Sequence, residues 1–244
     1  MADIITETLN VGSQQQVESL LKKYFSKKNL NSKQKIEQLF QEFRSCHYVC
    51  LKEFIPLVLQ TGARGETSEL LNHFSSNVSV TDASTNKAPL IAQVSQLDIE
   101  HRSIIIPALY YSQSLRQLLL LITANEVIPY SSKHGGISIT HVNEADYYEN
   151  WQCVEHAYQL VWFIEAPKVD AGGAFEFIKR STDQDLSINH DISENQIQRR
   201  YHKSRDVFLL KADACLQRFA PFNQGAERVV ITMNFANGPR LGKI

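Results

Sequence analysis

Apolar residues recur with a helical period near the amino terminus and with a strand period in the second half, and this change divides the chain. Val17, Leu20, Leu21, Tyr24 and Phe25 fall at i, i+3, i+4, i+7 and i+8, one face of an amphipathic helix. Ile36, Leu39, Phe40 and Phe43 repeat the spacing after Asn31-Ser32, residue types that favour a helix start. A further helix is expected from Ser114 through Leu121, preceded by Pro107-Ala-Leu-Tyr-Tyr, and its run Leu118 to Leu121 implies contact on more than one side. After Gly135-Gly136 the pattern turns to β-branched and aromatic runs between turn residues. Strands are expected at Ile137 to Val142, His156 to Ile164, Ala174 to Ile178, Val207 to Lys211 and Arg228 to Phe235, with a turn at Asp170-Ala-Gly172-Gly173 joining two of them. The polar stretch Ser181 to Arg205 reads as a loop able to cover a pocket mouth. Short strands behind a helical half point to a sandwich or jelly roll buttressed by helices.

Composition narrows the classes without naming one. A chain of 244 residues with 43% hydrophobic content can bury one sizeable core, so a single domain over 1–244 is expected, mainly helical over 1–130 and jelly-roll over 131–244. A formal net charge of -1 with no long charged run leaves no electrostatic footprint for nucleic acid or an anionic membrane, and neither partner is expected. The amino terminus has no basic and apolar leader, and no segment reaches the length of a membrane span, so a cytoplasmic location is expected. The thiols of Cys46, Cys50, Cys153 and Cys215 are too scattered for a disulfide framework. Cys46-His47-Tyr-Val-Cys50 has a zinc-like spacing, but no second close pair completes four ligands, and the stretch suits a strand. Walker, Rossmann and nucleophile-elbow motifs are absent, and His134-Gly135-Gly136 lacks the nucleophile that an esterase oxyanion loop would serve.

Three stretches carry chemistry together. They are Trp151-Gln152-Cys-Val154-Glu155; Leu160 to Pro167 leading into Ala171-Gly172-Gly173-Ala-Phe175-Glu176-Phe177; and Asp206-Val-Phe-Leu-Leu followed by Cys215-Leu216-Gln217-Arg218-Phe-Ala-Pro221 and Glu227-Arg228-Val-Val-Ile-Thr232-Met-Asn234-Phe. The combination resembles the iron(II) and 2-oxoglutarate dependent oxygenases, in particular the branch of amino-acid hydroxylases and radical halogenases. The resemblance covers roughly Ile137 to Phe235, with a weaker echo from Ala108 to Arg116. It implies a double-stranded β-helix, a mainly β jelly roll with amino-terminal helices packed on one sheet.

In that family two imidazoles and one carboxylate bind one face of iron(II), leaving positions for the oxoacid and oxygen. Here the matching positions hold Gln152, Val154 and Gln217: two neutral amides, which are feeble ligands, and a valine, which offers no donor. No metal is therefore expected at these positions. Arg228 stands eleven residues after Gln217, where the family places the arginine that forks onto the oxoacid's carboxylate. Strand alternation puts Arg228, Val230, Thr232 and Asn234 on one face and Val229, Ile231, Met233 and Phe235 on the other. The resemblance further implies that Glu155 meets a substrate amine and that Thr232 and Asn234 contact the amino-acid end.

The acidic residues Glu144, Asp146, Glu149 and Glu155 gather near the degenerate motif with His141 and His156, and charge alone reads as a solvated loop. His156, two residues past Val154, joins the cavity face if the strand is unbroken. The leading expectation is an oxygenase-like protein that lost its iron but keeps a pocket for an amino-acid or amine-like molecule. Gln152, Gln217, Glu155 and His156 are the candidate catalytic groups, and Arg228, Thr232, Asn234 and Glu155 the binding groups. No cofactor is expected, although 2-oxoglutarate or a similar acid fits the arginine. The rival is a working iron(II)/2-oxoglutarate oxygenase held by His156, His141 or Glu155. A third class is a structural subunit that dimerises with an active relative, and a homodimer is also left open.

Overall fold

Ser13 and Ser32 each start a helix by accepting, through the side-chain hydroxyl, a backbone N–H of the first turn, from Gln16 and Lys35 respectively. In the computed structural model, which describes residues 13–79, 90–131, 135–145, 147, 149–180 and 192–238, these are α1 (Gln14–Lys27) and α2 (Lys33–Cys46). They bury Val17, Leu21 and Phe25, and Leu39 and Phe43, so the apolar periodicity marks the buried stripes. The strand expected around Cys50 is β1 (Tyr48–Cys50), followed by α3 (Leu57–Phe74), β2 (Ser76–Ser79), β3 (Leu90–Val94), α4 (Gln96–Arg102), α5 (Ile105–Tyr110), α6 (Gln113–Thr123) and β4 (Val127–Pro129). The second half supplies β5 (Ile137–Val142), β6 (Tyr158–Glu165), β7 (Phe175–Lys179), β8 (Gln198–Arg200), β9 (Val207–Leu210), β10 (Cys215–Phe219) and β11 (Arg228–Asn237).

The large sheet runs β1-β9-β6-β11-β5-β3-β2 with β4 beside β11, and the small sheet runs β10-β7-β8, all pairs antiparallel. Alternation along the central strands gives the large sheet two characters. Leu160, Trp162 and Ile164 of β6, Val207 and Leu209 of β9, and Val229, Ile231, Met233 and Phe235 of β11 face the helices in one apolar core. Val161, Phe163, Phe208, Leu210 and Val230 face the other way, toward Phe175, Phe177 and Cys215 of the small sheet. This is a double-stranded β-helix with helices packed on its large sheet.

Several details differ from the sequence reading. The amino-terminal half is not only a buttress, because β1 forms one edge of the large sheet and β2 with β3 the other. Helix α3 buries Leu59, Ala63, Thr67 and Leu70, a stripe whose middle positions carry little apolar signal, and Gly62 lies against the tip of the Ile105 side chain. The strand expected from His156 begins at Tyr158, so the segment before β6, and not strand alternation, brings the buried His156 to the interior. The polar stretch before Arg205 contains β8, and none of its described residues reaches the cavity; residues 181–191 lie outside the described ones, as do Asp146 and His134. The turn after Pro167 needs both glycines: Gly172 and Gly173 have φ of 91° and 75°, and Gly173 N–H donates to the Pro221 carbonyl at 2.9 Å.

Candidate functional site

Between the inner face of β11, β6 and β5 and the end of β10 lies a cavity of about 330 Å³. Arg228, Val230, Thr232 and Asn234 line it from β11, Gln159 and Val161 from β6, Ser138 and Thr140 from β5, and Gln93 from β3. Tyr147, Glu149, Gln152, Val154 and His156 close it from the segment before β6, and Gln217, Arg218 and Phe219 from β10. The wall is rich in amides and hydroxyls, and it includes one ion pair.

Gln152 and Gln217 face each other through the backbone. Gln152 N–H donates to the Gln217 carbonyl at 2.9 Å and Gln217 N–H returns to the Gln152 carbonyl at 3.0 Å, a single antiparallel bridge at the edge of the small sheet. Gln152 is exposed, whereas Gln217 is buried and its Oε1 finds no donor among the described residues. A buried amide oxygen without a donor is costly unless water or a ligand supplies one. Val154 presents only hydrocarbon to the same space.

His156 is buried, and burial pulls its imidazole down to about 4 against the opposing pull of Asp213, so the ring is neutral at neutral pH. Its Nε2 lies 3.4 Å from the Gln159 amide nitrogen, which also donates to Asn234 Oδ1 at 3.2 Å. Asn234 Nδ2 in turn donates to the Gly135 carbonyl at 2.6 Å. Asn234 is thus held by a chain of bonds that fixes its amide, while Thr232 stands half-buried beside it on the same strand face.

Arg228 is engaged from within the protein. Its side chain is 3% exposed and its Nη2 donates to Glu149 Oε1, while Glu149 Oε2 accepts the Phe219 N–H at 3.1 Å. The guanidinium lies 3.9 Å from the centre of the Phe219 ring, a cation–π contact. Burial lowers its pKa and Glu149 acts in the opposite sense. The charge of Arg228 is thereby balanced by a carboxylate 79 positions away in sequence. Sequence reasoning grouped Glu149 with a solvated loop and so missed this pairing.

The other candidates are placed apart. Glu155 is exposed and outside the lining, which corrects its assignment to the binding groups and as a metal donor, because the bend before β6 turns it outward. His141 is also excluded from the cavity: on β5 it alternates with Ser138 and Thr140 and bonds Glu227 at 3.1 Å on the far face. Ser138, Thr140, Gln159 and Gln93 were not foreseen. The alternation of Ser138 and Thr140 with Ile137 and Ile139 was the available signal.

An iron(II) centre of the two-imidazole, one-carboxylate kind does not fit these residues. The positions in question hold two amides and a valine, one of the amide oxygens is an orphan, and among the described residues no three His, Cys, Asp or Glu side chains converge in the cavity.

The fold itself is that of 2-oxoglutarate/iron(II) oxygenases. The chain is similar to AviO1 from Streptomyces viridochromogenes Tue57 (TM-score 0.63, 12% identity, 83% of this chain and 96% of that one). It is similar also to SnoN, a non-heme alpha ketoglutarate dependent epimerase from nogalamycin biosynthesis (TM-score 0.62, 13% identity, 82% and 80%). A prolyl 4-hydroxylase from Phytophthora capsici (TM-score 0.55, 15% identity) is covered over 62% of its length by 82% of this chain. No curated protein matches the sequence. Within this class the chain belongs to the Halogenase D family, which it matches over residues 31–243.

Proposed function

We propose that this Halogenase D family protein binds an amino-acid or amine-like small molecule in the jelly-roll cavity and acts without iron, by metal-independent chemistry or as a binding partner. The observation that carries this reading is a retained polar cavity of about 330 Å³ in which the expected metal donors are replaced by Gln152, Val154 and Gln217. Glu149 beside Arg228 presents a carboxylate and a guanidinium side by side, the charge complement of a zwitterion's ammonium and carboxylate. Gln217 Oε1 offers an unused acceptor and the Thr232 hydroxyl lines the same wall. The rival iron-dependent reading finds no support in the positions of His141 and Glu155, which lie off the cavity.

Calorimetry with a panel of amino acids, amines and oxoacids tests the proposal. A zwitterionic amino acid is expected to bind more tightly than the matching oxoacid. Thr232→Val and Glu149→Gln are each expected to weaken it by about fivefold or more, the scale of one polar or charged hydrogen bond. Binding of no member of the panel, or equal affinity in both variants, overturns the reading. Stoichiometric iron(II) bound in the cavity, with the charge-transfer band of a 2-oxoglutarate complex, would favour the oxygenase instead.

A further inference from the structure

At the end of the barrel away from the cavity, Cys50, His202 and Asp206 come together, with their ligand atoms all within 4.8 Å of one another. Cys50 ends β1 and pairs with Phe208 of β9, and Asp206 lies two residues before Phe208, so strand pairing brings thiol and carboxylate to one edge. Backbone bonds anchor this edge: Phe163 N–H donates to the Asp206 carbonyl at 2.9 Å and Leu51 N–H to the Val207 carbonyl at 2.7 Å. His202 sits above them with its side chain 3% exposed, stacked on Phe163 (centroids 4.6 Å apart, planes at 21°) and on Phe208 (4.9 Å, 25°).

The two ring nitrogens have different surroundings. Nε2 lies 3.2 Å from the Tyr48 hydroxyl, whereas the buried Nδ1 has no hydrogen-bond partner among the described residues and lies 3.6 Å from Asp206 Oδ2, which also accepts the Lys203 N–H at 2.9 Å. The 3.6 Å separation is too long for a hydrogen bond. It matches the edge of a tetrahedral zinc shell, roughly 3.3 to 3.8 Å for zinc bonds of about 2.0 to 2.3 Å. A ring that donates Nε2–H to Tyr48 keeps the Nδ1 lone pair free toward the cluster, the usual way a metal-binding imidazole is oriented by its other nitrogen.

From this geometry we infer that Cys50, His202 and Asp206 form a site for a thiophilic divalent cation of the zinc class, separate from the amide-lined cavity. Sulfur, imidazole and carboxylate suit zinc rather than magnesium or calcium. Cys50 and Asp206 are half-exposed, so the ion has a route from solvent and a fourth position open to water. On binding, the Cys50 thiol releases its proton to solvent and the S–metal bond forms, with thiolate and carboxylate offsetting the two charges of the ion. The consequence is a clamp from the edge strand β1 to the segment entering β9. The sequence reading set zinc aside at Cys46 to Cys50 because no further ligands lie nearby in the chain; the partners of Cys50 stand more than 150 residues further on.

The test is zinc titration of the full chain after chelator treatment, with metal content measured after gel filtration. One zinc per chain and a raised thermal midpoint are expected. Cobalt(II) should give the thiolate charge-transfer band in the wild type and lose it in Cys50→Ser. Cys50→Ser and Asp206→Asn, both at the half-exposed rim, should weaken zinc at least about tenfold without unfolding the protein. His156→Gln, in the other cavity, should leave zinc affinity unchanged. Substoichiometric zinc, unaltered affinity in both rim variants, a cobalt spectrum without a thiolate band, or loss of zinc in His156→Gln would overturn the inference.

Discussion

The two ends of the barrel interior use the same strands for opposite purposes. At one end Tyr48, Phe163, Phe175, Phe177 and Phe208 pack ring against ring around His202. At the other Gln159, Gln217, Thr232, Asn234 and His156 line a space of about 330 Å³ unfilled by protein. Phe163 and Gln159 stand on one face of the same strand, as do Val230 and Asn234 on its neighbour, so the backbone is common to both ends. The difference teaches that closure of a jelly roll is set by side-chain volume, whereas the polar end holds positions whose hydrogen bonds are completed by something other than hydrocarbon.

The sharpest way to break the comparison is to exchange filling for space. Phe208→Ala at the packed end should cost about 3 to 5 kcal/mol in urea unfolding, because the ring touches Tyr48, Phe163 and Phe175 and its loss leaves a cavity that the sheets cannot close. A cost below about 1 kcal/mol would mean that the packed end is no tighter than the open one.

A smaller effect is expected from the buried imidazole of the open end. His156 is held at about 4, below its ordinary 6.5, chiefly by burial. Its protonation therefore favours the unfolded chain. The stability held by the neutral ring is complete above about pH 6.5 and is lost as pH falls toward 4, by up to about 3 kcal/mol. Comparing wild type with His156→Gln across this window isolates the contribution, since other titrating groups cancel. Parallel curves for the two proteins would show that His156 is hydrated and outside the low-dielectric wall.

The smallest effect belongs to Gln217. Removing an amide whose buried oxygen has no donor among the described residues should cost little, and Gln217→Leu is expected to lie within about 1 kcal/mol of wild type, on the stabilising side, in the absence of ligand. Destabilisation by 2 kcal/mol or more would show that the oxygen is satisfied by tightly held water.

Much of the scaffold was legible because burial is periodic. The stripes of α1 and α2, the alternation in β11 and the apolar runs of β6 and β9 follow directly from which side chains must leave water. Helix α3 was not, since its buried face uses Ala63 and Thr67 beside Gly62, residues whose hydrophobicity does not announce a stripe. Nor was β10, whose buried positions Cys215 and Gln217 include a polar one.

For the candidate site, the sequence by itself determined that positions 152, 154 and 217 hold two amides and a valine, and which residues of β11 share a face, because residue chemistry and a period of two need no tertiary information. Only the tertiary structure decided that Glu149 neutralises Arg228, that Glu155 and His141 leave the cavity, and that Cys50 meets His202 and Asp206. These are encounters between positions far apart in the chain. Electrostatic pairing and ligand geometry depend on distances of a few ångströms, and those are set by sheet register and bends that no local pattern encodes.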